Sequence, residues 1–138
     1  MDNLYIAYGH NYLNWRLGDK HPTNPERATL ATAFIEHTLG KDSVTLIEPE
    51  IREDVDVRNL LSIHDSNYVR EVLGKGISGE WSGKKKELGQ TALSMFAGTA
   101  RLVEKMLDGE ARVAFNPQGA KHHAQYDHSS GFCVFNDM

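Results

Sequence analysis

Three short runs of strand-forming residues recur along the chain with helical stretches between them. That alternation constrains the fold more than any other feature of the sequence. Residues 4–8 (Leu4-Tyr5-Ile6-Ala7-Tyr8) are apolar and closed by Gly9, and residues 44–47 and 111–115 have the same character. After a polar and aromatic stretch without period at residues 10–24, Asn24 can cap a helix, Pro25 suits its first turn and Glu26 favours the positive end of its dipole. Leu30, Phe34 and Thr38, with Ala31, Ile35 and Leu39 beside them, predict its apolar face, and Gly40 ends it. Residues 54–63 predict a short helix with Leu60 and Leu61 facing inward. Ser66 opens another that turns Tyr68, Val69 and Val72 or Leu73 toward the core and stops at Gly74. Residues 87–107 predict a long helix with Leu88, Leu93, Phe96, Ala100, Val103 and Leu107 on one side, stopped by Asp108-Gly109. Strands separated by helices indicate an α/β domain with a mainly parallel sheet. The working residues of such a sheet gather in the loops after the carboxyl ends of its strands.

A chain of 138 residues predicts one domain. Its 15 basic and 19 acidic residues leave a formal charge of −4, which argues against nucleic-acid binding by bulk charge. No run approaches the roughly 20 apolar residues of a membrane span. The start, Met1-Asp2-Asn3-Leu4, lacks the basic and apolar regions of a signal peptide. The single cysteine, Cys133, has no partner for an internal disulfide and fits a reducing cytoplasm. Residues 74–86, with Gly74, Gly76, Gly79, Gly83 and the run Lys84-Lys85-Lys86, predict an exposed and mobile loop whose lysines form a solvated lead into the next helix.

The unusual residues follow the third strand. Asn116-Pro117-Gln118-Gly119-Ala120-Lys121 leads into the pair His122-His123. Neighbours on a strand or helix point to different sides, so a double histidine seldom serves packing at both positions, whereas in a loop both rings can converge on one site. Adjacent histidines also arise on exposed loops with no role. Gly131-Phe132-Cys133 follows: glycine lets backbone approach a ligand closely, and phenylalanine can wall a narrow pocket. Zinc binding by His122, His123 and His128 is a variant without acidic or cysteine partners at a recognised spacing. Cys133, between Phe132 and Val134, reads as a buried, inert thiol rather than a nucleophile.

Gly119-Ala120-Lys121-His122-His123-Ala124 and Ser130-Gly131-Phe132-Cys133-Val134-Phe135-Asn136-Asp137 together resemble the signature of the histone deacetylase superfamily, which includes bacterial acetoin-utilisation proteins and acetylpolyamine amidohydrolases. His21-Pro22 with Pro25-Glu26-Arg27, the stretch from Leu60 through His64 to Tyr68-Val69, and residues 98–115 resemble further segments of that family in the same order. The resemblance implies a three-layer αβα domain with a mainly parallel sheet (arginase/deacetylase-like), incomplete here, with residues 1–138 as the N-terminal part of a single domain.

The resemblance further implies a zinc-dependent amide hydrolase that removes acetyl groups from acetyl-lysine or acetylpolyamine-like substrates. His122 would help position the water and the developing oxyanion, and His123 would be the general base and later acid. Gly131 would offer its carbonyl to the substrate amide, Phe132 would wall the acyl tunnel, and Arg27 would lie near the floor of an internal channel where acetate leaves. His64 would cap or pack.

Zinc is expected for the complete domain, but the family's ligand motif, an Asp-x-His pair and a distant Asp, is not in this chain, so no metal ligand is assigned. Lys121 stands where many members carry a hydrophobic or aromatic residue, and it could alter the channel or simply face solvent. Two alternatives are a truncated non-catalytic binding module and one half of a split enzyme. A fragment of a parallel sheet would expose an edge and apolar faces, which predicts self-association into a homo-oligomer or dependence on a complementary C-terminal half.

Overall fold

The computed structural model describes residues 2–138; Met1, part of the start read above for targeting, lies outside them. Three strands form one parallel sheet: β1 (Leu4–Ala7) lies at the centre, between β2 (Val44–Ile47) and β3 (Val113–Phe115). Leu4 is in register with both Val44 and Val113, and Ile6 pairs with Leu46 and Phe115. The central position explains the composition of β1, whose Ile6 and Ala7 are fully buried. The third strand is shorter than its apolar run, because the Ala111 N–H is held by the Lys105 carbonyl at 3.0 Å, in the turn that ends the preceding helix.

Helices cover both faces of the sheet. α1 (Glu26–Leu39) and α4 (Lys86–Leu107) are joined in chain order by α2 (Glu53–Ile63) and α3 (Ser66–Arg70). Successive side chains on an extended chain alternate between faces. Ala7 lies under Gly98 of α4, while the Tyr8 hydroxyl meets the Thr29 hydroxyl of α1 at 2.6 Å. The layers are therefore α1, sheet, α4, as an α/β domain requires, with only three strands between them. Gly98 permits the close approach: a β-carbon there would strike the Tyr12 hydroxyl and come within 3.3 Å of the Ala7 β-carbon.

Burial departs from the expected faces in several places. On α1 the buried positions are Ala28 and Thr32, whereas Leu30 and Phe34 are 69% and 70% exposed. The apolar stripe exists, but no described residue covers it. On α2 Leu60 is buried while Leu61, a third of a turn away, faces out. α4 buries Leu88, Leu93 and Phe96 but leaves Val103 and Leu107 exposed. A helix of 22 residues runs about 33 Å and a four-residue strand about 13 Å, so the end of α4 outruns the sheet.

The start and end of the third helix also differ from expectation. Asp65, not Ser66, caps α3, accepting the N–H groups of Asn67 and Tyr68 at 3.0 and 3.1 Å. The helix passes Gly74 in a wider π turn (Glu71–Lys75) and stops at Gly76, which takes the left-handed conformation. The expectation of an exposed loop over residues 74–86 holds for Lys84, but Lys86 already opens α4 and the middle of the segment is packed. There Trp81 is buried, donates to the Gly76 carbonyl at 2.8 Å and stands edge-on to Trp15. No described helix is long and apolar enough to cross a membrane.

Candidate active site

The loop after β3 is held by two polar side chains at its ends. Asn116 takes the first position beyond the strand. Its amide nitrogen donates to the Met95 carbonyl and the Thr99 hydroxyl of α4, both at 2.9 Å. Its carbonyl oxygen accepts the Tyr12 hydroxyl at 2.9 Å and the Gln118 N–H at 3.1 Å. Burial pushes the Tyr12 phenol well above the ordinary tyrosine range, so its hydroxyl remains a donor. Asp137 closes the loop from the other side. One carboxylate oxygen accepts the Lys121 N–H at 2.7 Å; the other accepts the Ala120 N–H at 3.2 Å and the Thr99 hydroxyl at 2.5 Å. Asn116 and Asp137 thus meet on Thr99 and fix both ends of the segment that leads into the histidines.

His122 and His123 are exposed, with ring centroids 4.2 Å apart and planes tilted by 41°. The His122 Nδ1 lies 2.9 Å from the Ala120 carbonyl. A carbonyl can only accept, so Nδ1 carries the proton and Nε2 is left for other work. His123 is set by packing: Gly131 lies against its ring, and a β-carbon on Gly131 would come within 3.0 Å of it.

Gly131 and Phe132 have φ of +52° and +66°, and Ser130 and Cys133 exchange both backbone hydrogen bonds, at 2.8 and 3.1 Å. Positive φ at both central residues is the pattern of a tight type I′ hairpin turn. Glycine adopts it freely, whereas a phenylalanine there is strained by about 1 kcal/mol. The strained Phe132 N–H is held by the Glu80 carboxylate at 3.1 Å. The turn leaves the Phe132 ring partly exposed, edge-on to His21 at 4.5 Å, which joins the early His21-Pro22 segment to the late one. The Ser78 and Ser129 hydroxyls meet at 2.8 Å, so the Trp81 loop lies along this turn. The Gly131 carbonyl accepts the Cys133 thiol at 3.4 Å, and Cys133 itself is buried.

Gly131→Ala is therefore expected to displace the His123 ring and to destabilise the chain by about 1 kcal/mol through the left-handed backbone alone. The His123 ring proton shifts in NMR read the displacement, and unchanged shifts in a folded variant would refute it.

Arg27 does not join the histidines. It is exposed on the first turn of α1 and lines a cavity of about 380 Å³ whose wall also includes Trp15, Gln118 and Lys121. Lys121, which could have faced solvent, is instead partly buried with its ammonium 5.9 Å from the Trp15 ring centroid. Burial lowers its pKa from the ordinary lysine value. Among the described residues no group of three His, Cys, Asp or Glu side chains is placed to hold a metal. His128 is paired with Asp127 at 2.7 Å and does not complete a site with His122 and His123. The described residues do not by themselves fit zinc.

His64 packs, as expected. It is buried against Tyr68 and Phe135, its Nε2 accepts the Asn136 N–H at 3.0 Å, and its Nδ1 meets the Tyr126 carbonyl at 3.2 Å. A backbone N–H can only donate, so Nε2 is unprotonated and Nδ1 carries the hydrogen. Burial lowers the folded-state pKa from 6.5. The unfolded chain then binds more protons than the folded one as pH falls below about 6.5, and stability drops with falling pH from there. Urea midpoints measured from pH 7.5 to 5 should show this loss, and His64→Gln should flatten it. An equal slope in the variant would count against the assignment.

Asn116, Asp137, Tyr12 and Glu80 are the site residues that sequence reasoning did not single out. Asn116 gave a signal, since it opens the loop after a strand. Glu80 gave none, because its contact with Phe132 crosses 52 positions.

Residues 21–138 match the family model described as the histone deacetylase domain. Among curated proteins, the acetoin utilization protein AcuC of Staphylococcus aureus (strain MRSA252) is 26% identical over 145 residues, covering 96% of this chain and 36% of the relative. The protein of the same name from Bacillus subtilis (strain 168) is 25% identical over 149 residues, covering 99% and 38%. That of Staphylococcus xylosus is 26% identical over 155 residues, covering 100% and 40%. The chain thus spans 36–40% of the length of these relatives.

Proposed function

The chain belongs to the histone deacetylase domain family, and from that premise we propose that it is the tandem-histidine and tunnel part of an amide hydrolase that removes acetyl groups from acetyl-lysine or acetylpolyamine-like substrates. The observation that carries the reading is the His122–His123 pair, with ring centroids 4.2 Å apart and the His123 ring packed tightly on Gly131. An exposed pair without a role has no need of that packing or of the anchored loop that presents it.

In this reading His123 takes a proton from the attacking water and later gives it to the leaving amine. His122, with Nδ1 bound to the Ala120 carbonyl, turns Nε2 to the same water or, when protonated, to the developing oxyanion. The Gly131 carbonyl accepts the substrate amide N–H, exchanging its weak thiol contact for a stronger one. Phe132 walls the path of a long unbranched side chain. Zinc is the family's expected cofactor for the complete domain. The described residues supply no ligand set for it, and none of these roles is drawn through it. A reducing cytoplasm is the setting that the lone buried thiol fits.

A second reading, one half of a split enzyme or a binding module, is favoured by one observation. Leu30, Phe34 and Val113 are exposed around the sheet, and β3 is an edge strand. The test that separates the readings is deacetylation of an acetyl-lysine peptide and an N-acetylated polyamine by a protein that continues this chain through the family's remaining segments. Hydrolysis supports the enzyme reading. A folded, metal-supplied protein inactive on both substrates would sink it. Metal-free partner binding by the 138-residue chain, unchanged by replacing both histidines, would establish the binding module.

A further inference from the structure

Ala120, two residues before His122, has a φ of +58°. That is the left-handed region, which an alanine avoids unless its surroundings hold it there. The Asp137 carboxylate supplies the hold. Its Oδ1 accepts the Lys121 N–H at 2.7 Å and its Oδ2 the Ala120 N–H at 3.2 Å. Successive N–H groups converge on one anion where the backbone bends in this way. Gly119 leaves room for the carboxylate, since a β-carbon there would come within 2.9 Å of Oδ2. Thr99 adds a third donor. The Asn116 amide nitrogen donates to the Thr99 hydroxyl, so the single hydroxyl proton points to Asp137 Oδ2. Asp137 forms no ion pair among the described residues, so its oxygens serve these three donors. An asparagine has one acceptor oxygen and would turn its NH₂ group toward a donor.

We propose that Asp137 is a positioning residue for the tandem histidines and acts through the backbone of Ala120. Held left-handed, Ala120 presents its carbonyl to the His122 Nδ1 at 2.9 Å. That contact keeps the His122 proton on Nδ1 and leaves Nε2 unprotonated. The order of influence runs from Thr99 on α4 to Asp137, then to the Ala120 backbone, then to the His122 ring. Asp137 touches neither histidine ring through these bonds; it sets the conformation from which one of them is aimed. The catalytic consequence rests on the hydrolytic reading above, whereas the hold on the His122 tautomer rests on the hydrogen bonds alone.

The test compares the 138-residue chain with its Asp137→Asn variant by NMR at about pH 8, above the histidine range. Ring nitrogen shifts read the His122 tautomer, and hydrogen exchange reads the Ala120 and Lys121 amides. In the variant the Nδ1–H form of His122 should lose population to the Nε2–H form, and the Ala120 amide should exchange about tenfold faster. Thr99→Val removes the third donor and should move the tautomer the same way but less far, while Thr99→Ser keeps it; this pair decides if Asp137→Asn does not fold. Ala120→Gly tests the route. Glycine takes the left-handed conformation freely, so in that background Asp137→Asn should shift the tautomer less. An unchanged tautomer in a folded Asp137→Asn, or a shift of equal size in the Ala120→Gly background, would overturn the proposal. In a complete enzyme Asp137→Asn should lower kcat about tenfold with KM near its original value. A tautomer shift in a protein that fails the deacetylation assay keeps the positioning role and removes the hydrolytic reading. An active enzyme whose kcat is unchanged by Asp137→Asn removes Asp137 alone.

Discussion

Replacing Arg101 with methionine is expected to destabilise the chain by about 3–5 kcal/mol, a large part of the stability a domain of this size carries. Asp56 is fully buried on α2, and Arg101 reaches it from α4 with two nitrogens, at 2.8 and 3.3 Å. The same guanidinium donates to the Glu50 carbonyl at 3.2 Å and meets Glu104 at 3.1 Å. Asp56 also accepts the Arg52 N–H at the start of α2. One buried pair therefore ties two helices and a helix start together.

Removing the cation leaves a carboxylate with no charge to face in a dry site, and that uncompensated burial supplies the penalty, not the pair's own net worth. The pair is not ideal, because Arg101 Nε is buried without a partner. The double variant Asp56→Leu with Arg101→Met is accordingly expected to recover much of the loss. Urea unfolding of the three proteins decides the matter. A loss below about 1 kcal/mol in Arg101→Met, or a double variant no better than the single one, would show that the pair is not the tie between α2 and α4.

The sequence was legible where local chemistry and packing agree. The three strands follow from β-branched and aromatic runs, of which the sheet buries the central one most fully, and Gly9 and Gly40 end their elements as read. Burial was less legible. Leu30 and Phe34 carry a sound apolar period, but a period says which residues share a face and not what covers it. Asp65 and Ser66 are both good caps, and the choice between them depends on where Tyr68 must point: its hydroxyl reaches the Val134 carbonyl at 2.6 Å. At the site, His122, His123, Gly131 and Phe132 stand out because adjacent histidines and a Gly-Phe turn are unusual in a loop. Asp137 and Glu80 do not, because an acid accepting a backbone N–H from a distant segment leaves no local signature. Lys121 was open to two readings, and the cavity wall it shares with Trp15 decides against the solvent-facing one.

His123→Ala in a complete enzyme is expected to lower kcat by about 10²–10⁴-fold while leaving KM near its original value. The magnitude follows from the role: a group that moves a proton in the transition state contributes to the rate and little to ground-state binding. The substitution should leave the fold intact, since the His123 ring is exposed and rests against Gly131 and His122 outside the buried core, so stability should stay within about 0.5 kcal/mol. That separates it from Arg101→Met, which acts through the core. The pH profile gives a further discrimination. With a histidine base the rate falls as pH drops through the histidine range, and in the variant that limb should disappear. His122→Ala should behave differently, because its Nδ1 is held by the Ala120 carbonyl and its loss frees the loop as well as the ring. A His123→Ala enzyme that keeps its full kcat and the acid limb of its profile would remove His123 from proton transfer. His122 would then be the only histidine of the pair left to move the proton.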